Sequence, residues 1–384
     1  MGRLAAVRDS SPMKYCQRCI LPDTRPGVVI EADGVCTACR GHEEKEAKID
    51  WAAREQAFRT LVAEAKAKSA GYDCIVPVSG GKDSWYQIIK AKEYGLKPLG
   101  VTWRTPARTE IGQRNLDRMI QKLGVDHIDY TIDPEVERKF MIAAYEEKGA
   151  TGLPMHMALF AIPISLAVRL RIPLIVWGEN PQLEYGGNEL ERLADTLDAA
   201  WLAKHGCLQS TDADYWVGKE GLTAADLVPY RFPSAPDYDV RSIFLGAFFK
   251  WDSFENTRIA AAHGFAHDES DLKTGSWAFA DIDCHFISLH HFLKWYKFGI
   301  TRAFDNLSVQ IRRGDLTREE AIETIRAVGL QVPEEDIRRF CAFAGRPESW
   351  FWETAERFRN SDVWVREDGV WKIPGFLIEG WEWQ

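Results

Sequence analysis

The sequence predicts an α/β protein, in which a small cysteine-rich module precedes a parallel-sheet domain and a helical domain follows it. Three observations predict this. From Tyr72 to Trp177 short apolar runs alternate with helical patterns, the rhythm of β-α-β units joined by right-handed crossovers. Ahead of them stand two C-x2-C pairs, Cys16 with Cys19 and Cys36 with Cys39. After Val240 the periodicity turns helical and aromatic-rich. At 384 residues the chain can hold two domains and a sizeable core. The expected divisions are a disordered leader at 1–12, the cysteine module at 13–45, linking helices at 46–71, the parallel-sheet domain at 72–236 and the helical domain at 237–384.

The leader lacks the apolar stretch of a signal peptide, and Met13 is an alternative start. Each C-x2-C knuckle offers two thiolates from one tight turn, and two knuckles close a tetrahedron. Cys16, Cys19, Cys36 and Cys39 are therefore expected to hold a structural zinc, since four thiolates leave no open position for catalysis. The other reading is a set of reduced or redox cysteines, which more often come as a single pair. Between the knuckles Pro22, Pro26, Gly27 and the Asp33-Gly34 turn describe a ribbon hairpin. It has few apolar residues, so metal binding, ~10–16 kcal/mol in small zinc modules, would supply its stability. From His42 to Ala70 linking helices are expected, and the run Glu43 to Lys48 reads as a solvated face.

Strands are expected at Cys74–Val78, Pro98–Trp103, His127–Ile132 and Leu174–Trp177, with helices near 82–95, 110–124, 134–149 and 155–170. Ligands of such sheets sit beyond the carboxyl ends of the strands. The first strand runs into Ser79-Gly80-Gly81-Lys82-Asp83-Ser84 and then a helix. Glycines permit the tight turn, and the helix start directs N–H groups and a positive dipole end into it. Ser79 and Ser84 add hydroxyls and Lys82 a cation. Asp83 in a phosphate cradle implies Mg²⁺ between it and the phosphate. The string is not G-x-x-x-x-G-K-[ST]. It resembles the PP-loop of the ATP pyrophosphatases, which split ATP between the α- and β-phosphates. That resemblance implies a PP-loop (HUP-like) nucleotide-binding domain taking ATP and Mg²⁺.

With phosphates at Ser79 to Ser84, adenine and ribose should lie across Val78, the backbone around Trp103, and Gly178. Trp103 either stacks on the base or belongs to the core. The polar, glycine-rich stretch Gly178 to Gly187 follows a buried strand. Glu179, Asn180, Glu184 and Tyr185 there are candidates for Mg²⁺ or substrate contacts, or the stretch is a capped turn.

The region 188–240 is less legible and ends in a Pro-rich linker, Pro229 to Pro236. Helical pattern then covers Phe244 to Trp251, Ile287 to Phe298 and Arg318 to Val328, the last capped by Thr317. The loop Lys273 to Trp277 either closes on pyrophosphate or is a plain turn. His263 and His267 lack a placed acidic partner for a metal. Asp283, with Asp281, Cys284 and His285, marks a second cation site, a substrate contact or a capped helix start. Lys297, Arg302, Arg312 and Arg313 meet an anionic substrate or are solvated.

In this order the strings resemble the N-acetyl sugar amidotransferases of surface-polysaccharide biosynthesis: Lys14-Tyr15-Cys16, Ser79 to Ser84, Trp177-Gly-Glu-Asn180, Glu184-Tyr-Gly-Gly187, Lys297-Phe-Gly299 with Arg302, and Thr317-Arg-Glu-Glu-Ala321. The resemblance spans Met13 to Gly329 and leaves out the tryptophan-rich tail. It implies that ATP adenylates the acetamido oxygen of an N-acetylated sugar, nucleotide-linked or acidic, and that ammonia displaces AMP to leave an acetamidino group. Lys82, Asp83, Glu184 and Lys273 are the expected catalytic residues, and Glu179, Asn180, Glu184, Tyr185, Asp283 and Arg302 the expected substrate contacts. No glutaminase signature is present, since Gly2 follows Met1 and Cys207 sits in His-Gly-Cys-Leu. A separate glutaminase subunit is therefore the expected ammonia source. A net charge of −9 argues against a nucleic-acid partner, and hence against the rival reading of a tRNA sulfur transferase. The intact Lys82-Asp83-Ser84 argues against the other rival, a non-catalytic zinc-ribbon adaptor. No membrane span is expected, and eight cysteines in an ATP-using chain suit the cytoplasm.

Overall fold

The computed structural model describes residues 12–233, 238–267, 269, 272 and 274–383. Five strands form one parallel sheet: β1 (Cys74–Pro77), β2 (Pro98–Trp103), β3 (Asp126–Tyr130), β4 (Leu174–Trp177) and β5 (Arg241–Phe244). Their order is β3-β2-β1-β4-β5. β1 and β4 are buried at every residue, as crossovers on both faces require. The chain winds outward from β1 to β3 and then returns to place β4 on the other side of β1. The switch point therefore lies between β1 and β4, where ligands of this architecture bind.

The helices begin and end where local chemistry says they should. α1 (Thr37–Ala47) and α2 (Trp51–Lys68) link the cysteine module to the sheet. α3 (Lys82–Glu93) starts straight from the glycine turn. α4 (Glu110–Leu123) is capped by Thr109 and stopped by Gly124 in the left-handed conformation. α5 (Pro134–Lys148) starts with Asp133 as cap and a proline in its first turn. α6 (Leu153–Leu170) is long and apolar enough to cross a membrane, which the sequence expectation overlooked. In this structure it packs on β1, β2 and β4.

The stretch 178–240 carries three short helices, α7 (Pro181–Tyr185), α8 (Glu189–Leu193) and α9 (Ala199–His205), and three single 3-10 turns. Among its described residues there is no long crossover helix, so the β-α-β rhythm that exposed the first four strands is missing before the fifth. This corrects the helical reading of Phe244 to Trp251. Phe244 ends β5, and a 3-10 turn at Leu245–Ala247 follows. The expected division at 236/237 lies outside the described residues.

Beyond α10 (Ser253–His263) come α11 (Ile287–Phe298), α12 (Arg302–Arg313), α13 (Arg318–Val328), α14 (Glu334–Ala344) and α15 (Glu348–Arg357). The tail adds a hairpin of β6 (Val365–Glu367) and β7 (Val370–Lys372). A second core joins α11, α14 and α15 to the tail, and the late tryptophans build it. The ring of Trp295 packs against Trp364, Trp381 and Trp383. The start of the described chain closes this core, since Met13 N–H donates to the Pro374 carbonyl at 3.0 Å.

Candidate active site

The site starts from strand register. Ile75 pairs with Ile175 and Cys74 with Pro98. Continued past the strand ends, that register sets Ser79 beside Glu179 on one side and Trp103 on the other. The glycine turn is thereby placed at the switch point. Gly80 has φ +95, and a Cβ there would lie 2.8 Å from the Gly112 carbonyl, so only glycine fits. The turn is knit by Ser79 N–H donating to Ser84 Oγ at 2.9 Å and Gly81 N–H donating to Ser79 Oγ at 3.3 Å. Ser79, Gly81 and Asp83 keep partial solvent access, while Gly80, Lys82 and Ser84 are buried.

Lys82 Nζ meets Asp83 Oδ2 at 2.5 Å. The other carboxylate oxygen, Asp83 Oδ1, is buried with no hydrogen-bond partner. Glu179 lines a cavity of about 370 Å³ together with Glu184 and Tyr185. Burial, with Asp83 and then Glu184 adding like charge, pushes Glu179 up to about 7. An orphaned carboxylate oxygen beside a second acid fits a hard cation with oxygen ligands, so the residues present suit Mg²⁺ at Asp83. Asp283 approaches the turn from the far domain. Its backbone carbonyl accepts from Thr109 N–H at 3.2 Å, and burial raises its carboxyl, with the Ser79 side chain opposing the shift.

Behind this site stands a wall of buried charge. Asp305, fully buried, receives Arg25 at 2.5 Å, Lys294 at 3.1 Å and Arg302 at 3.6 Å. Arg302 also meets Asp281 at 3.0 Å, and His291 lies 3.3 Å from the same carboxylate. Burial opposes ionisation of both acids. Arg25 and Lys294 outweigh it at Asp305, and Arg302 outweighs it at Asp281, so both are held well below the usual carboxylate range. Arg25 comes from the cysteine module and donates to the Tyr185 carbonyl at 3.2 Å. Its guanidinium lies 5.4 Å from the centre of the Tyr185 ring. Tyr185 lines both the small cavity and a much larger one of about 1700 Å³.

The cysteine module is part of this wall. The ligand atoms of Cys16, Cys19, Cys36 and Cys39 lie within 4.8 Å of one another, all four residues buried. Cys16 Sγ accepts from Cys36 N–H at 3.3 Å. This donor set fits a closed zinc site. Helix α1 carries Lys45, whose ammonium contacts both oxygens of Glu184 at 2.9 Å and the Trp251 carbonyl at 3.1 Å. Glu43, Glu46 and Lys48 are exposed, as expected of a solvated face, but Lys45 within the same run is buried.

Asn180 is buried and occupied in packing. Its oxygen caps α7 through Gln182 N–H, and its amide reaches the carbonyls of Glu191, Arg192 and Ala194. Gly178 is small for packing reasons, since a Cβ would meet Trp251 at 3.2 Å and Gln87 at 3.4 Å. Trp103 donates its indole N–H to buried Glu137 at 2.6 Å and packs against both cores, which is the core alternative for that ring. Glu184 faces the small cavity but is tied to Lys45. Arg312 donates to the Glu184 carbonyl at 3.1 Å, and Arg313 pairs with Asp252 and Asp315. His263 is exposed, its Nδ1 on the Ile259 carbonyl, and His267 meets Glu269. Lys273 lies outside the described residues. The wall residues Arg25, Lys45, His291, Lys294 and Asp305 carry no motif signal, because they come together only through folding.

Residues 269–376 match a family model described as the C-terminal domain of LPS biosynthesis protein WbpG-like proteins. No curated relative matches the chain. Among solved structures, NMN synthetase from Francisella tularensis is similar at 10% identity, over 78% of this chain and 94% of that one, with a TM-score of 0.35. The matched stretch supplies Asp283 beside the glycine turn, and Asp281, His291, Lys294, Arg302 and Asp305 of the charged wall.

Proposed function

We propose that this chain is an ATP-dependent sugar amidotransferase of surface-polysaccharide biosynthesis. ATP would lie with its phosphates in the turn Ser79 to Ser84. The acetamido oxygen of an N-acetylated sugar bonds to the α-phosphorus and pyrophosphate leaves. Ammonia then adds to the activated carbon, loses protons, and expels AMP, which takes the amide oxygen with it. The observation that carries this reading is the PP-loop string at the β1/β4 switch point, with the WbpG-like stretch packed over it.

The residues divide the work by position. Lys82 and the start of α3 offer positive charge where the pyrophosphate develops its own, commonly the largest catalytic contribution. Asp83 would hold Mg²⁺, which when bound neutralises phosphate charge. Glu179, poised near neutrality, accepts a proton as the amine adds. Glu184 is held by Lys45, so its role is to fix the floor of the small cavity. No protein nucleophile is needed, because orientation of the two reactants suffices. Cys207 borders the large cavity and is exposed, and its sulfur lies 3.8 Å from the His205 carbonyl, an acceptor that favours the thiol over the thiolate of an activated nucleophile. A separate glutaminase subunit therefore supplies the ammonia in this proposal, and the use of ATP places the reaction in the cytoplasm.

The test is incubation of the purified chain with ATP, Mg²⁺ and ammonium against nucleotide-linked acetamido sugars, read by mass. Exchange of the amide oxygen for NH lowers the mass of the sugar by about one unit, as adenylation followed by amine displacement requires. Glutamine in place of ammonium is expected to give no product from the single chain. Absence of any such mass change with ammonium across the sugar panel would count against the proposal.

A further inference from the structure

The larger cavity holds features that the adenylation site leaves unused. Its volume of about 1700 Å³ exceeds the ~300–1,000 Å³ of an ordinary small-molecule site, so it is oversized for a single sugar ring. The cysteine module, the start of α6, helix α11 and the segment after α15 enclose it. Many of its cations are already neutralised, as Arg192 is by Glu44 and Lys204 by Glu191. Lys297 and Arg357 are not. Lys297 donates to the Lys148 carbonyl at 2.9 Å, and Arg357 to Thr354 Oγ1 at 3.2 Å. Neither has a carboxylate partner among the described residues. Burial alone moves Lys297 down to about 8. A half-buried ammonium without a counter-charge is costly, and an anionic ligand would relieve that cost. The N-terminal end of α6 borders the same wall through Gly152 and Leu153, and its dipole favours the same sign of ligand.

We propose that this cavity receives the phosphate-bearing part of the acceptor, held by Lys297 and Arg357, with the sugar directed toward Tyr185. The assignment rests on the amidotransferase reading for the identity of the sugar, but not for the anion site itself. A phosphate-linked sugar can come from a nucleotide or from a lipid carrier, and the same two cations serve either.

Isothermal titration of the zinc-loaded full chain tests this. The probes are UDP-N-acetylglucosamine, N-acetylglucosamine linked through diphosphate to a short prenyl chain, free N-acetylglucosamine, and Mg-ATP as a separate control. At least one phosphate-bearing probe is expected to bind about tenfold or more tightly than the free sugar, and the preferred one identifies the carrier. K297Q and R357A should each weaken that probe about tenfold, while K297R retains it and Mg-ATP binding stays unchanged. Affinity should fall as pH rises past about 8, where free Lys297 loses its proton. The proposal is overturned if neither phosphate-bearing probe binds at about 5 mM. Unchanged affinity in R357A and K297Q would overturn it equally, and exposed Arg357 keeps that arm open should K297Q fold poorly. Loss of Mg-ATP binding by the unmutated chain would instead strike at the PP-loop reading, leaving the anion site judged by the other arms.

Discussion

The turn at Ser79 to Ser84 and the charged wall behind it are built in opposite ways. The turn comes from six consecutive residues, and its geometry is written in backbone: a glycine at φ +95, a helix start, and hydrogen bonds spanning at most five residues. The wall comes from residues scattered between Arg25 and Asp305, and its geometry is written in side chains. A backbone-built site survives wherever its strand and helix survive. A side-chain wall survives only if the cysteine module, α11 and α12 are all in place. In the proposed reaction the phosphates would sit on the most local of these two regions, with the least local one standing behind them.

That contrast can be broken from the wall side first. Chelation of zinc is expected to have the largest effect, since metal binding contributes ~10–16 kcal/mol in small zinc modules. Amides of residues 16–39 should lose hydrogen-exchange protection while those of β1 and β4 keep theirs. Unaltered protection in the module would show that it folds without metal. Next, Asp305→Ala leaves Arg25, Lys294 and Arg302 sharing no acid at that point, and should cost about 3–5 kcal/mol in denaturant unfolding. A loss below about 1 kcal/mol would mean that water already satisfies those cations.

From the turn side, Lys82→Ala should lower the rate of AMP formation by about 10²–10³ with little change in unfolding midpoint. An equal fall in stability would assign Lys82 to the fold instead. The smallest effect is the pH response of Glu179. Its carboxyl is raised from an ordinary 4.5 to about 7, so the folded state holds the proton more tightly than the unfolded chain. Its contribution to stability is therefore greatest below pH 4.5, shrinks between 4.5 and 7, and becomes a full cost above 7. Glu179→Gln should stabilise the protein by on the order of 1–3 kcal/mol at pH 8 and hardly at all near pH 4. Stabilisation of equal size at both pH values would contradict this.

The same contrast explains what could be read before folding was known. Four strands, the first-half helices and Thr317 as the cap of α13 were legible because period, glycine and capping residues act within a few positions. The cysteine cluster was legible because metal geometry dictates spacing. β5 was not, since no long helix precedes it to mark the crossover. Lys45 looked solvated because its partner Glu184 lies 139 residues away. Asn180 looked functional because capping residues and ligand residues share one chemistry, and only its four hydrogen bonds decide between them. The late tryptophans had no evident purpose in sequence, yet they close the second core around Trp295.

The most direct measurement follows one oxygen atom. With ¹⁸O in the acetamido group of the acceptor sugar, and ATP, Mg²⁺ and ammonium supplied, the label should appear in the phosphate of AMP in step with acetamidino product and pyrophosphate. Label retained in the sugar, or ADP and orthophosphate released in place of AMP and pyrophosphate, would contradict an oxygen captured at the α-phosphorus.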